Sequence, residues 1–176
     1  LVEPARLVGG QLEQVERAVH VDPVGGLGGE LRAGGEHRRQ VEDALKYLFS
    51  RQQEGHGTSI DALSGTLRLS EGEALKFVAR MQAQGLIELK RRDLALTAEG
   101  QRWALQIVRA HRLWERYLAD EARMPLEKIH NEAHQREHGM TTAQVDELDA
   151  SLGFPTSDPH GDPIPNAQGA MRLQAK

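Results

Sequence analysis

The sequence predicts a mainly α-helical chain interrupted by one short β-hairpin. Three observations carry that reading. After about Arg39, apolar residues recur at three- and four-residue spacing through most of the chain. Two helix starts are marked by capping boxes, Ser70 with Glu73 and Thr141 with Gln144. Only "LIELKRRDLALT" breaks the helical period, with two alternating apolar arms around the charged tip Arg91-Arg92-Asp93.

Composition sets the outer bounds. With 176 residues, 39% of them hydrophobic and 27% charged, the chain can build one or two small globular domains. Aromatics make up only 4%, so the core must come from Leu, Ala, Val and Ile. There is no cysteine, which excludes disulfides and thiolate metal sites and suits a reducing, cytoplasmic setting. Any metal must be held by His, Asp and Glu. No apolar run is long enough to span a membrane, and no signal-peptide pattern opens the chain. The absence of an initiator Met fits a fragment. A net charge of −4 does not favour nucleic acid, so a DNA role requires a local basic patch.

Taken in order, residues 1–38 read as a flexible arm, because eight of the 18 glycines fall before residue 36. Order is expected from Arg39, where Val41, Leu45 and Leu48 share a helix face. A short helix follows over Ile60 to Leu67. The next starts at Ser70, buries Ala74, Phe77, Val78 and Met81, and stops at Gly85. After the hairpin, Thr97 caps a long helix bearing Trp103, Ile107, His111 and Trp114. Pro125 opens another helix, and Thr141 opens the last. Beyond Gly153, "FPTSDPHGDPIPN" reads as a loop or tail. The expected division is an arm (1–38), a first domain (39–97), a helical domain (98–153) and a tail (154–176).

Helix, helix, tight turn, helix, hairpin is the order of a winged helix-turn-helix, whose second helix enters the DNA major groove while the wing touches backbone. Lys76 and Arg80 lie one turn apart on the polar side of that helix, and Lys90, Arg91 and Arg92 load the wing. Such cations neutralise phosphates, the main source of protein–DNA affinity. The same unit also serves as a plain packing or protein-contact module. Glu71 and Glu73 stand near the face DNA would approach, although both suit the positive end of the helix dipole.

The densest chemistry lies in "EKIHNEAHQREHGM". On a helix, His130, His134, Glu137 and His138 fall along one edge, beside the apolar stripe Leu126, Ile129 and Ala133. Upstream, His111 and Glu115 form a second pair at chelating i, i+4 spacing. His130 and His138 are about 12 Å apart along a helix axis, too far to share an ion with bonds of ~2 Å. Two sites follow: His130 with His111 and Glu115, and His134 with Glu137 and His138. Imidazole and carboxylate suit Mn²⁺, Fe²⁺, Zn²⁺, Co²⁺ or Ni²⁺ without choosing among them. The plain alternative is a solvated helix face. A hydrolytic zinc enzyme would need an open coordination position and a positioned base, and no His-Glu-x-x-His is present, so an enzyme is not expected.

The motifs "EDALKYLF", "ARMQAQGLI", "LTAEGQ", "AHRLWERYL", "KIHNEAHQREHGM" and "HGDPIP", in this order, resemble the diphtheria toxin repressor family, which includes the manganese transport regulators. The resemblance covers about Arg39 to Pro165. It implies a homodimeric, metal-activated regulator that binds double-stranded DNA, with a winged-helix domain followed by an all-α metal-binding and dimerisation domain, and an expected role in repressing metal-uptake genes. Residue by residue, it places His111, Glu115 and His130 in an ancillary site and His134, Glu137 and His138 in a primary site. It adds Asp43 from the first helix as a further primary ligand, and Ser70 with Lys76 on the recognition helix. Asp43 matches the manganese branch, where the iron branch has Met, so Mn²⁺ or Fe²⁺ is the expected cofactor, with Zn²⁺, Co²⁺ or Ni²⁺ able to bind in vitro. His134 stands where the iron branch has Cys and the manganese branch Glu. An SH3-like C-terminal domain, present in the iron branch, is not expected in this chain. The competing reading is a winged-helix scaffold with a structural metal that acts through protein contacts.

Overall fold

The computed structural model describes residues 35–172. They form six helices and one hairpin: α1 Gly35–Gln53, α2 Ile60–Leu67, α3 Glu71–Ala83, β1 Ile87–Lys90, β2 Asp93–Leu96, α4 Ala98–Asp120, α5 Leu126–Arg136 and α6 Thr142–Ser151. Most of the expected arm lies outside the described residues. Its last four belong to α1, which begins at Gly35 rather than Arg39. Two compact units result, and they divide within α4: residues through Ile107 belong to one and residues from Val108 to the other.

In the first unit, α1 packs on α2 and β2, α2 on α3, and α3 on β1. Local chemistry sets the boundaries. Ser59 caps α2 by accepting from the Ala62 N–H at 3.2 Å. Ser70 caps α3 reciprocally: its Oγ accepts from the Glu73 N–H at 3.4 Å, while its own N–H donates to Glu73 Oε2 at 2.9 Å. Such a cap contributes about 1 kcal/mol. The buried face of α3 is the expected one, Ala74, Phe77, Val78 and Met81. Gly85, at φ 71°, then turns the chain into the hairpin.

The strands pair antiparallel, from Ile87 with Leu96 to Lys90 with Asp93, leaving Arg91 and Arg92 as a two-residue turn. The Leu94 N–H donates to the Thr58 carbonyl at 2.8 Å, which ties the wing to the segment before α2. Thr97 caps α4, accepting from the Gly100 N–H at 3.1 Å and donating to the Gly85 carbonyl at 2.6 Å. Gly100 lies so close to the hairpin start that a Cβ there would sit 1.9 Å from the Leu86 carbonyl oxygen.

The second unit closes around Leu113, Trp114, Leu118, Ile129, Ala133, Val145, Leu148 and Ile164. Ile164 belongs to the segment expected as a loop or tail, yet it is fully buried. Two isolated bridges, Ser157 with Pro163 and Pro165 with Met171, shape that segment. A buried charge cluster fastens it. Arg109 Nη2 donates to Asp149 Oδ2 at 2.6 Å, and Arg172 Nη1 donates to Asp149 Oδ1 at 2.7 Å and to the Pro155 carbonyl at 2.9 Å. Asp149 is fully buried, so it requires both cations.

Candidate metal centre

The helical unit gathers both predicted histidine sets. His111 and Glu115 stand one turn apart on α4, with their ring and carboxylate buried. The α5 residue His130 faces them. His111 Nε2, Glu115 Oε1 and His130 Nδ1 form a near-equilateral triangle with edges of 3.0, 3.0 and 3.1 Å. Burial works against the charged Glu115 carboxylate. Hydrogen bonding and charge from His111, a bond from His130 and the charge of His160 outweigh it and hold the pKa down to about 2.

The second set sits at the end of α5. The helix stops at Arg136, two residues short of His138, and Gly139 at φ 80° redirects the chain. Glu137 keeps helical torsions and His138 lies in the turn, so the trio still converges. Glu137 Oε1 lies 3.0 Å from His134 Nδ1 and 3.8 Å from His138 Nε2, and the two imidazoles meet edge to face at 5.0 Å. The Glu137 side chain is fully buried. Arg136 stacks over Trp114, 5.2 Å from the ring centroid, and the Trp114 Nε1–H donates to Met140 Sδ at 2.9 Å. These contacts hold both ends of the histidine turn.

Two features lay outside the sequence reading. The first is a direct link between the sets, in which His111 Nδ1–H donates to Glu137 Oε2. The second is a third cluster, Glu115 with Asp158 and His160, whose ligand atoms lie within 4.8 Å of one another. Glu115 therefore faces two ways: Oε1 toward His111 and His130, Oε2 toward His160 at 3.5 Å. Asp158 is fixed by its own loop, accepting the His160 and Asp162 N–H groups at 2.8 and 2.9 Å. Burial raises its pKa against those bonds, and the nearby Glu115 charge raises it further. The quoted "HGDPIP" was the available signal, but a Pro-rich stretch has no period from which its facing could be read.

The donor set suits a divalent transition ion. With bonds of about 2.1 Å, adjacent ligands around a six-coordinate ion sit about 3.0 Å apart, close to the edges of the His111–Glu115–His130 triangle. The buried carboxylates Glu115 and Glu137 hydrogen-bond to the imidazoles of His111, His130 and His134, contacts that suit groups needing positive charge nearby. Asp43 lies on α1 of the other unit and is half-buried.

The cations expected to meet DNA in the winged unit are solvent-facing. Lys76, Arg80, Lys90, Arg91 and Arg92 are all exposed. Lys90 is paired with Glu88 at 2.7 Å. Ser70 Oγ is engaged with Glu73, whose pKa is lowered by these Ser70 bonds. Glu73 thus has a capping role, as its spacing suggests.

A winged-helix unit joined to a helical unit with clustered imidazole and carboxylate ligands defines the architecture of metal-dependent repressors. Residues 97–166 match the iron-dependent repressor metal-binding and dimerisation domain. The chain is 34% identical over 126 residues to the iron-dependent repressor IdeR of Mycobacterium leprae, covering 71% of this chain and 55% of that protein. It is 31% identical over 126 residues to the diphtheria toxin repressor of Corynebacterium diphtheriae, covering 71% and 56%. Among solved structures, a manganese-dependent transcriptional repressor in complex with manganese aligns with a TM-score of 0.68 at 34% identity, covering 76% of this chain and 62% of that one. ScaR with bound Zn²⁺ aligns at 0.66 and 26% identity, covering 76% and 63%. The chain belongs to the diphtheria toxin repressor family. It spans about half the length of the curated relatives it matches.

Proposed function

We propose that the protein is a homodimeric, DNA-binding transcriptional regulator activated by Mn²⁺ or Fe²⁺, a cytoplasmic repressor of metal-uptake genes and not an enzyme. The observation that carries this reading is the convergence of two His/Glu sets, each built on a buried carboxylate, in one unit of a chain whose other unit is a winged helix. His134, Glu137 and His138 form the first ligand set, with Asp43 added on the family's pattern. His111, Glu115 and His130 form the second, and Asp158 and His160 approach it through the far oxygen of Glu115.

A bound divalent ion supplies positive charge to the carboxylates of Glu115 and Glu137. Each ligating imidazole must present an unprotonated nitrogen, so binding weakens in mild acid. In the winged unit, Lys76 and Arg80 on α3 and Lys90, Arg91 and Arg92 on the wing offer cations to phosphates, while Ser70 fixes the start of α3. The presence of such cations in a chain of net charge −4 supports a local DNA-facing surface.

The test is DNA-fragment binding by chelator-stripped protein during Mn²⁺ or Fe²⁺ titration. Affinity should rise at least tenfold, a coupling of about 1.4 kcal/mol, and His138→Ala should abolish the rise. Equal affinity with and without every divalent ion tried would remove the sensor reading and leave a winged-helix scaffold with a structural metal.

A further inference from the structure

We propose that Met140 is a peroxide-sensitive thioether, and that its conversion to the sulfoxide weakens ion binding by His134, Glu137 and His138. The binding part rests on the metal-regulator reading above; the modification itself does not.

The chain holds four methionines and no cysteine, so thioethers are the sulfur that a two-electron oxidant meets. Met81 is fully buried, whereas Met124, Met140 and Met171 are half-buried. Among the described residues, only the Met140 sulfur accepts a hydrogen bond, from the Trp114 Nε1–H at 2.9 Å. Met140 also follows His138 by two residues and is joined to it through Gly139 at φ 80°.

In the reaction, a sulfur lone pair attacks one oxygen of hydrogen peroxide. The S–O bond forms as the O–O bond breaks. The displaced hydroxide takes up the proton left on the transferred oxygen and departs as water. Sulfur is oxidised by two electrons and the peroxide is reduced by two.

The consequence is steric and polar. An N–H···O contact alone needs about 2.9 Å, so no oxygen fits on the lone pair facing Trp114 without separating sulfur from indole. Trp114 is buried and meets Tyr117 edge to face, which leaves the turn at Gly139 as the part that yields. Oxygen on the other lone pair puts a polar group where Met140 packs against the core around Trp114 and Ile129. Either epimer displaces the turn that carries His138.

The experiment treats the chelator-stripped full chain with hydrogen peroxide, with chelator present to prevent metal-catalysed damage to the histidines. Peptide mass spectrometry then reads each methionine, and Mn²⁺ affinity is measured by electron paramagnetic resonance of the free ion after peroxide and chelator are removed. Met140 should form sulfoxide while Met81 stays reduced. Mn²⁺ affinity should fall by about tenfold, the low end for disturbing groups that orient metal ligands. Methionine sulfoxide reductases for both epimers should restore it. Met140→Leu, compared only with itself before and after peroxide, should show no such fall, whereas Met171→Leu should still show it. The helical circular dichroism of the oxidised protein should be retained. An unoxidised Met140, an unchanged affinity once it is oxidised, or an equal fall in Met140→Leu would each overturn the proposal, as would general loss of helix. If it fails while DNA binding stays Mn²⁺-dependent, the regulator reading stands. If untreated protein binds no Mn²⁺, both fall.

Discussion

At the scale of single residues, the wing tip holds a testable tension. Arg91 occupies the first position of a two-residue turn at φ 60°, left-handed backbone that suits glycine. A side chain there costs about 1 kcal/mol, yet the position carries a cation exposed to solvent. Arg91→Gly should therefore raise the thermal midpoint, while Arg91→Ala should not. Both should weaken binding to all DNA sequences and lower the salt slope by about one unit. A stabilised Arg91→Gly protein with unchanged salt dependence would mean that the wing does not meet phosphate. The run of Arg91, Arg92 and Asp93 was legible as a turn, but the strain was not. Nothing in a pair of arginines reveals which of them takes the positive φ.

Among the elements, what the sequence revealed was local. The box at Ser70 and Glu73, the caps at Thr97 and Thr141 and the stop at Gly85 each depend on residues within one turn, and all lie where expected. The His111–Glu137 bond depends instead on the rotational phase of α4 against α5, which spacing within either helix does not encode. The end of α5 was missed for a related reason: Gly139 lies just beyond the histidines, and its positive φ ends the helix before His138. Gly100 illustrates the same limit. On propensity alone, Ala in the first turn of α4 would gain about 1 kcal/mol. Packing against Leu86 forbids it, since the added Cβ meets a backbone carbonyl that cannot swing aside. Gly100→Ala should destabilise the winged unit by about 1–3 kcal/mol, measured by urea denaturation. A gain in stability would show that the hairpin start yields easily.

Across the molecule, stability should depend on acid through groups remote from the histidines. Burial alone would raise the pKa of Asp149, but hydrogen bonds and charge from Arg172 and Arg109 prevail and lower it below 3.8. The sign follows from that direction. The contribution is complete above the unfolded value of 3.8 and is lost as the pH falls through the lower folded value. Asp149→Asn should therefore unfold more readily at neutral pH, by about 3–5 kcal/mol for a broken buried pair, with the gap to wild type narrowing as the pH drops below 3.8. A gap that stayed constant down to strong acid would remove Asp149 as the source. The same cluster explains why residues 154–172 are more than a tail. Arg172 ties their far end to α6 through Asp149, and Ile164 enters the core. Pro and Gly mark turns but carry no hydrophobic period, so only the assembled unit reveals that anchoring.

The contact between Trp114 and the end of α5 has an optical consequence. One face of the indole lies against the Arg136 guanidinium and its N–H meets the Met140 sulfur, the residues on either side of Glu137 and His138. Emission from an indole responds to nearby charge and is quenched by paramagnetic ions such as Mn²⁺. Trp103, the second tryptophan of the chain, lies eleven positions earlier on α4. With Trp103 changed to Phe, the remaining fluorescence would come from beside the histidine turn, so the ion uptake proposed there would be readable from the protein's own emission, with neither a dye nor a DNA partner.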